Sequence, residues 1–351
     1  MDFHESFLMK CYSHLMDDFK NRLRLIIRKI FPKKRVIKIV KLKKEASSRD
    51  YYRIFLSSNM TCIAMVLNES NDTKIIDDII QATSVFSAYK IKVPSIYRVL
   101  SKEGILIIKD VGHISLERFK IQTGKQSHLL IYKKIIDSLL KIHNTPIPDK
   151  IKDLKPFQTE FTTKKFISEF EFFLKHIPLI KTLEHNEINV LQDVFSMVSR
   201  RLVNDRYILT HRDLHARNIY IYNRDNFYFI DHQDARMGPY LYDLVSLLKD
   251  SYVNISHNIE TELVSYYLDQ SEKAWACTID RKKFFLSYYR TMFQRSIKAC
   301  GTFYYQSTCK NMIKYKKSIP LVLNYALDAL GKLDIEPHKQ KIVENVLQKL
   351  L

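Results

Sequence analysis

Glycine is nearly missing from this sequence: six residues in 351, Gly104, Gly112, Gly124, Gly238, Gly301 and Gly331, roughly a quarter of the usual share of about 7%. No two stand two, three or five positions apart, so neither G-x-G-x-x-G nor G-x-x-x-x-G-K-[ST] can be written anywhere. A dinucleotide-binding fold and a Walker-type NTPase are thereby disfavoured. Cysteine supplies no framework either. The five, Cys11, Cys62, Cys277, Cys300 and Cys309, form no C-x-x-C pair, and an odd number in a long chain argues for reduced, mostly buried thiols. No apolar run approaches the about 18 residues of a membrane span, and Met1–Glu5 is acidic rather than basic, so a cytoplasmic protein is expected.

What is present is positive charge and helical periodicity. Lys and Arg number 57 against 38 Asp and Glu, a formal net charge of +19, with 46% hydrophobic residues, which describes a globular chain of about two structural units. Twelve of the cations fall between Lys20 and Lys44 without one acid. Leu23, Leu25, Ile26, Ile27 and Ile30, then Val36, Ile37, Ile39, Val40 and Leu42 interleave them, as a folded helix and strand with a basic solvated face require. Peripheral contact of residues 20–44 with an anionic surface stays open, with no obligatory nucleic-acid partner. The oligomeric state is not legible.

The order of elements indicates an α+β protein. Strands are predicted over Val36–Lys43, Tyr51–Leu56 and Thr61–Leu67, a helix over Thr73–Tyr89, and strands over Ser95–Leu100 and Ile105–Lys109, all from hydrophobic period and turn residues. From Asp110-Val111-Gly112 onward helices dominate, at Ser127–His143, Thr162–His176, Glu187–Val203 and from Tyr240 onward. The partition is an N-terminal helical segment, 1–34, a nucleotide-binding lobe, 35–112, and a catalytic and substrate lobe, 113–351.

The helical stretch is interrupted once, where two short strands, Ile219–Tyr222 and Phe227–Ile230, follow the segment Thr210-His211-Arg212-Asp213-Leu214-His215-Ala216-Arg217-Asn218. This carries the kinase catalytic-loop spacing H-R-D-x-x-x-x-N, with Asp231 at the end of the next strand. In a phosphoryl-transfer site Asp213 takes the acceptor hydroxyl proton, while Asn218 and Asp231 offer the hard oxygen ligands that Mg²⁺ requires beside ATP. His211 and His215, four apart, lack a third metal ligand at a recognised spacing.

The loop resembles that of the aminoglycoside phosphotransferase family, small-molecule relatives of protein kinases. The continuation Ile230-Asp231-His232-Gln233-Asp234-Ala235, Gly238-Pro239 and Tyr242–Asp250 is similar to the branch that phosphorylates the anomeric hydroxyl of N-acetylmuramate and N-acetylglucosamine in cell-wall recycling. Glu45–Arg53 resembles its nucleotide loop, Ile107–Gly112 its hinge, and Phe293–Lys298 a late helix. The resemblance implies a bilobal protein-kinase-like fold, with a small N-terminal antiparallel-sheet lobe and a larger, mainly helical C-terminal lobe. It implies ATP and Mg²⁺ as cofactors and a small-molecule sugar as acceptor.

By the same resemblance Asp213 is the base, Arg217 steadies the transferred phosphoryl group, and His211 and Asp243 support the catalytic loop. His232, Gln233, Asp234 and Arg295 are assigned to the sugar, with Lys298, Tyr288 and Tyr289 on the same late helix as Arg295. The third strand, Thr61–Leu67, has no lysine for the ATP phosphates. Ser47, Ser48 and Arg49, or Arg53, are left to hold them. The rival readings are a kinase-like enzyme acting on another small-molecule or protein hydroxyl, and a non-catalytic nucleotide-binding protein with a basic nucleic-acid or membrane face.

Overall fold

The structure, a computed structural model, describes residues 3–43, 49–67, 73–122, 125–223 and 226–351. The chain divides into two compact units, residues 1–83 with 94–112, and 84–93 with 113–351. In the first, α1 (Phe3–Ile30) precedes β1 (Val36–Lys41), β2 (Asp50–Leu56) and β3 (Thr61–Val66), then α2 (Thr73–Ala88), β4 (Ile96–Leu100) and β5 (Ile105–Lys109). The five strands form one antiparallel sheet in the order β1-β2-β3-β5-β4. The first three strands form a meander, and β5 lies between β3 and β4.

Period-two alternation builds this sheet. Tyr52, Ile54 and Leu56 of β2 turn to one face with Ile105 and Ile107 of β5, where Leu23 and Ile27 of α1 cover them, while Met65 and Leu106 turn to the other with Ile76 and Ile79 of α2. Leu23 and Ile27 are fully buried one helical turn apart, and truncating either to Ala costs about 2–5 kcal/mol. The basic stretch is thus folded: α1 and edge strand β1 keep Arg24, Arg28, Lys29 and Lys38 exposed, together with Leu25 and Ile37.

The second unit contains α3 (Leu116–Gln122), α4 (Lys125–Asn144), α5 (Lys155–Gln158), α6 (Thr163–His176) and α7 (His185–Val203), then β6 (Tyr207–Thr210), β7 (Ile219–Asn223), β8 (Asn226–Phe229) and β9 (Arg236–Pro239). Helices α8 (Tyr242–Leu248), α9 (His257–Trp275), α10 (Arg281–Thr308), α11 (Ile319–Leu330) and α12 (Pro337–Gln348) follow. Residues 84–93 belong here because Val85, Phe86, Tyr89, Ile91 and Val93 join the helical core. α6 and α10 pack closely because Gly301 lies against the α6 backbone, where a Cβ would stand 2.7 Å from Phe173 Cα. Phe170, Phe173, Phe195 and Phe293 fill the space around that crossing.

β6 pairs with β9 and β7 with β8, both antiparallel. β9 is not legible from its residues, since Gly238-Pro239 reads as a turn, yet Gly238 is what lets it lie against the Phe161 ring, 2.7 Å from a built Cβ. Among the described residues Cys62, Cys277, Cys300 and Cys309 are free thiols. No helix there is long and apolar enough to cross a membrane.

Candidate active site

β6 delivers the chain into the loop His211–His215, and α8 secures it. Asp243, in the first turn of α8 and 1% exposed, accepts the backbone N–H of His211 through Oδ2 (2.5 Å) and that of Arg212 through Oδ1 (3.0 Å). Burial pushes the Asp243 carboxyl above its ordinary pKa, offset in part by His211 and these N–H bonds. The anchorage matters because Arg212 has φ +79° and Asp231 φ +62°, a left-handed conformation costing a non-glycine residue about 1–2 kcal/mol. The Arg212 carbonyl accepts a bond from Arg295 Nη1 (2.9 Å). The buried His211 donates Nε2–H to the Ile230 carbonyl (3.0 Å) and sets its ring edge against Phe86.

Asp213, Asn218 and Asp231 are brought together by backbone bonds as much as by their own side chains. The Asp213 carbonyl accepts His215 N–H (3.0 Å) and Asn218 Nδ2–H (2.9 Å), and the Asn218 carbonyl accepts Ile230 N–H (2.9 Å). Asp231 is the next residue, exposed, its Oδ1 accepting Gln233 Nε2–H (2.8 Å). Because Asn218 Nδ2 faces Asp213 and also His215 Nε2 (3.3 Å), its amide oxygen is the atom left to offer elsewhere. Burial pushes the His215 imidazole down to about 3, against the pull of Asp213, so it stands neutral.

The Asp213 carboxylate meets a cation from far along the chain. Lys298 Nζ lies 3.0 Å from its Oδ1, and the Asp213 side chain keeps 31% exposure. Burial alone would raise this carboxyl; Lys298, Arg212 and Arg295 outweigh it and hold the group ionised, well below the usual carboxylate range.

Several side chains assigned from the sequence are placed differently. Arg217 forks onto Glu117 of α3 (2.9 and 3.0 Å) and lies 3.6 Å over the Tyr252 ring. Held on both sides in this way, the guanidinium braces the loop. His232 is 5% exposed with its ring edge on Phe86, and burial pushes it down to about 3. Gln233 holds Asp231, Asp234 pairs with Arg212 (3.0 Å) and Arg236 (3.5 Å), and Arg295 lies over Tyr242.

In the first unit Arg53 is closed onto Asp110 (2.7 Å) and the Gly112 carbonyl (2.6 Å). Arg49 immediately precedes β2, while Ser47 and Ser48 lie outside the described residues. Two groups have contacts that the sequence did not assign. Lys298 was visible only as a late-helix cation three residues after Arg295. Asp250, 1% exposed, accepts Ala216 N–H through Oδ2 (2.5 Å) and Tyr252 N–H through Oδ1 (2.7 Å); its sole local signal is a spacing of seven from Asp243.

A five-stranded antiparallel unit and a helical unit bearing an Asp-x-x-x-x-Asn loop define a kinase-like fold. Solved structures agree: the GDP and kanamycin complex of APH(2″)-IIia is similar at a TM-score of 0.61, with 13% identity over 88% of this chain and 99% of that one. Choline kinase LicA from Streptococcus pneumoniae gives a TM-score of 0.58, with 18% identity over 87% and 100%. The chain belongs to the phosphotransferase enzyme family, APH, whose model matches residues 38–278. N-acetylmuramate/N-acetylglucosamine kinase of Neisseria meningitidis serogroup B (strain ATCC BAA-335 / MC58) is 24% identical over 289 residues, 80% of this chain and 82% of that protein.

Proposed function

We propose that this phosphotransferase moves the γ-phosphoryl group of ATP to a sugar hydroxyl, the anomeric hydroxyl of N-acetylmuramate or N-acetylglucosamine. Asp213 accepts the hydroxyl proton as the sugar oxygen bonds to phosphorus, and the bond from phosphorus to the bridging oxygen breaks to release ADP. The donors fit magnesium: the Asn218 amide oxygen and the Asp231 carboxylate are hard oxygen ligands, and they would hold Mg²⁺ with water and phosphate completing its shell. When bound, the ion neutralises charge on the phosphates. Asp243 and His211 keep the loop in the conformation this chemistry needs.

The charge around Asp213 carries the choice of acceptor class. Lys298, Arg212 and Arg295 are the cations that act on the Asp213 carboxylate, while Arg212 and Arg236 also meet Asp234. Burial first, and then the neighbouring Arg212, push the Arg236 guanidinium below its usual range. Kanamycin and choline, acceptors of the structural neighbours, are cations and are disfavoured in such a field; a neutral or carboxylate-bearing sugar is not. The similarity to the meningococcal amino-sugar kinase supports the same acceptors.

The test is an ADP-release screen over N-acetylmuramate, N-acetylglucosamine, kanamycin and choline, with phosphorus NMR to locate the new phosphate. Release with the amino sugars and a signal coupled to the anomeric proton is expected. Release confined to kanamycin or choline would overturn the acceptor, and wild-type turnover in Asp213→Asn the mechanism.

A further inference from the structure

The catalytic loop is fixed by many bonds, but almost all of them hold backbone. Asp243 holds the N–H groups of His211 and Arg212, Asn218 and His215 hold the Asp213 carbonyl, and Arg295 holds the Arg212 carbonyl. None restrains rotation of the Asp213 carboxylate about its own side-chain bonds. Among the described residues one group does so, Lys298, whose Nζ sits on Oδ1 at 3.0 Å and leaves Oδ2 as the oxygen turned to other partners.

The origin of that ammonium is equally specific. Arg295 and Lys298 stand three apart on α10 and therefore share a helix face. They reach consecutive loop residues, Arg295 the Arg212 carbonyl and Lys298 the Asp213 carboxylate. The helix is set at this depth by the α6 crossing at Gly301 and by Gln294, which donates to the buried Glu169 (2.7 Å). Arg53 and Arg217 point elsewhere, to Asp110 and to Glu117.

We infer that Lys298 is the positioning residue of the Asp213 base: by fixing Oδ1 it aims Oδ2 at the acceptor hydroxyl. The inference rests on Asp213 being the base, as proposed above. Burial would lower the Lys298 pKa and Asp213 raises it, so the pair stays charged on both sides. Orientation of a base contributes to the rate of proton transfer rather than to the binding of either substrate. Lys298 is therefore expected to act on kcat and leave KM nearly untouched.

The experiment measures kcat and KM for ATP and N-acetylmuramate, and the slow transfer to water without sugar, in wild type, Lys298→Met, Lys298→Arg and Asp213→Asn. Lys298→Met is expected to lower kcat by about 30–300-fold in both reactions with each KM within about threefold, while Lys298→Arg stays within about tenfold of wild type. If the Met variant does not fold by circular dichroism, Lys298→Gln, which keeps a donor and loses the charge, should lose more than about tenfold in kcat. A kcat within about threefold of wild type, a loss confined to KM, or an Arg variant as impaired as the Met variant overturns the inference. The two ideas separate cleanly: an inactive Asp213→Asn beside a fully active Lys298→Met sinks only the role of Lys298, whereas an active Asp213→Asn sinks both.

Discussion

Replacing Asp250 by Asn probes the account of the catalytic loop through a measurable pH dependence. Its two oxygens accept two different backbone N–H groups, those of Ala216 and Tyr252 (2.5 and 2.7 Å), in a position 1% exposed. Burial pushes the carboxyl up from 3.8 to about 6, the N–H bonds offsetting part of that cost. A group whose pKa is higher in the folded protein contributes stability fully present below 3.8 and lost as pH rises through about 6. At about 1.4 kcal/mol per pH unit, this displacement amounts to about 3 kcal/mol. Asn keeps the shape, does not titrate, and can satisfy one N–H group instead of two.

The stability of wild type minus that of Asp250→Asn should therefore fall by about 3 kcal/mol between about pH 4 and about pH 7.5. Urea unfolding of both proteins at each pH measures it. The subtraction removes the contributions of groups common to both, including His143, His215 and His232, which burial holds at about 3. A difference that is flat with pH, or rises with it, would refute the placement of a buried ionised carboxylate beneath Ala216 and Tyr252.

Two further outcomes follow from the same packing. Arg217→Met should lower stability by about 1–3 kcal/mol in urea through the lost Glu117 fork and Tyr252 stacking, with kcat within about tenfold of wild type; a thousandfold kcat loss at unchanged stability would restore the phosphoryl role. Gly301→Ala should cost about 1–3 kcal/mol despite the better helix propensity of Ala, because its Cβ meets helix backbone rather than a yielding side chain. Scanning calorimetry reads this, and an unchanged melting temperature would contradict the α6–α10 crossing.

The elements, and the residues proposed as the central triad, were legible because their signals are local. β2, β3, β5 and most helices follow from hydrophobic period, and Asp213, Asn218 and Asp231 from nineteen consecutive positions in which residue type and spacing carry the chemistry. Arg217 shows the limit of local signals: proximity in sequence suggests the phosphoryl group, while its side chain pairs with Glu117, one hundred positions earlier. His232 likewise follows a candidate metal ligand directly and points into the core.

By itself the sequence determined the class of fold and marked the loop and the carboxylate proposed as its base, since these depend on neighbours within a few residues. Only the tertiary structure decided which cations face the carboxylates, that Lys298 reaches Asp213 across 85 positions, and that Asp250 holds the loop from beneath. Charge pairing and burial are set by which elements pack together in space, and an isolated Lys or Asp in a sequence carries no mark of the partner that folding will bring to it.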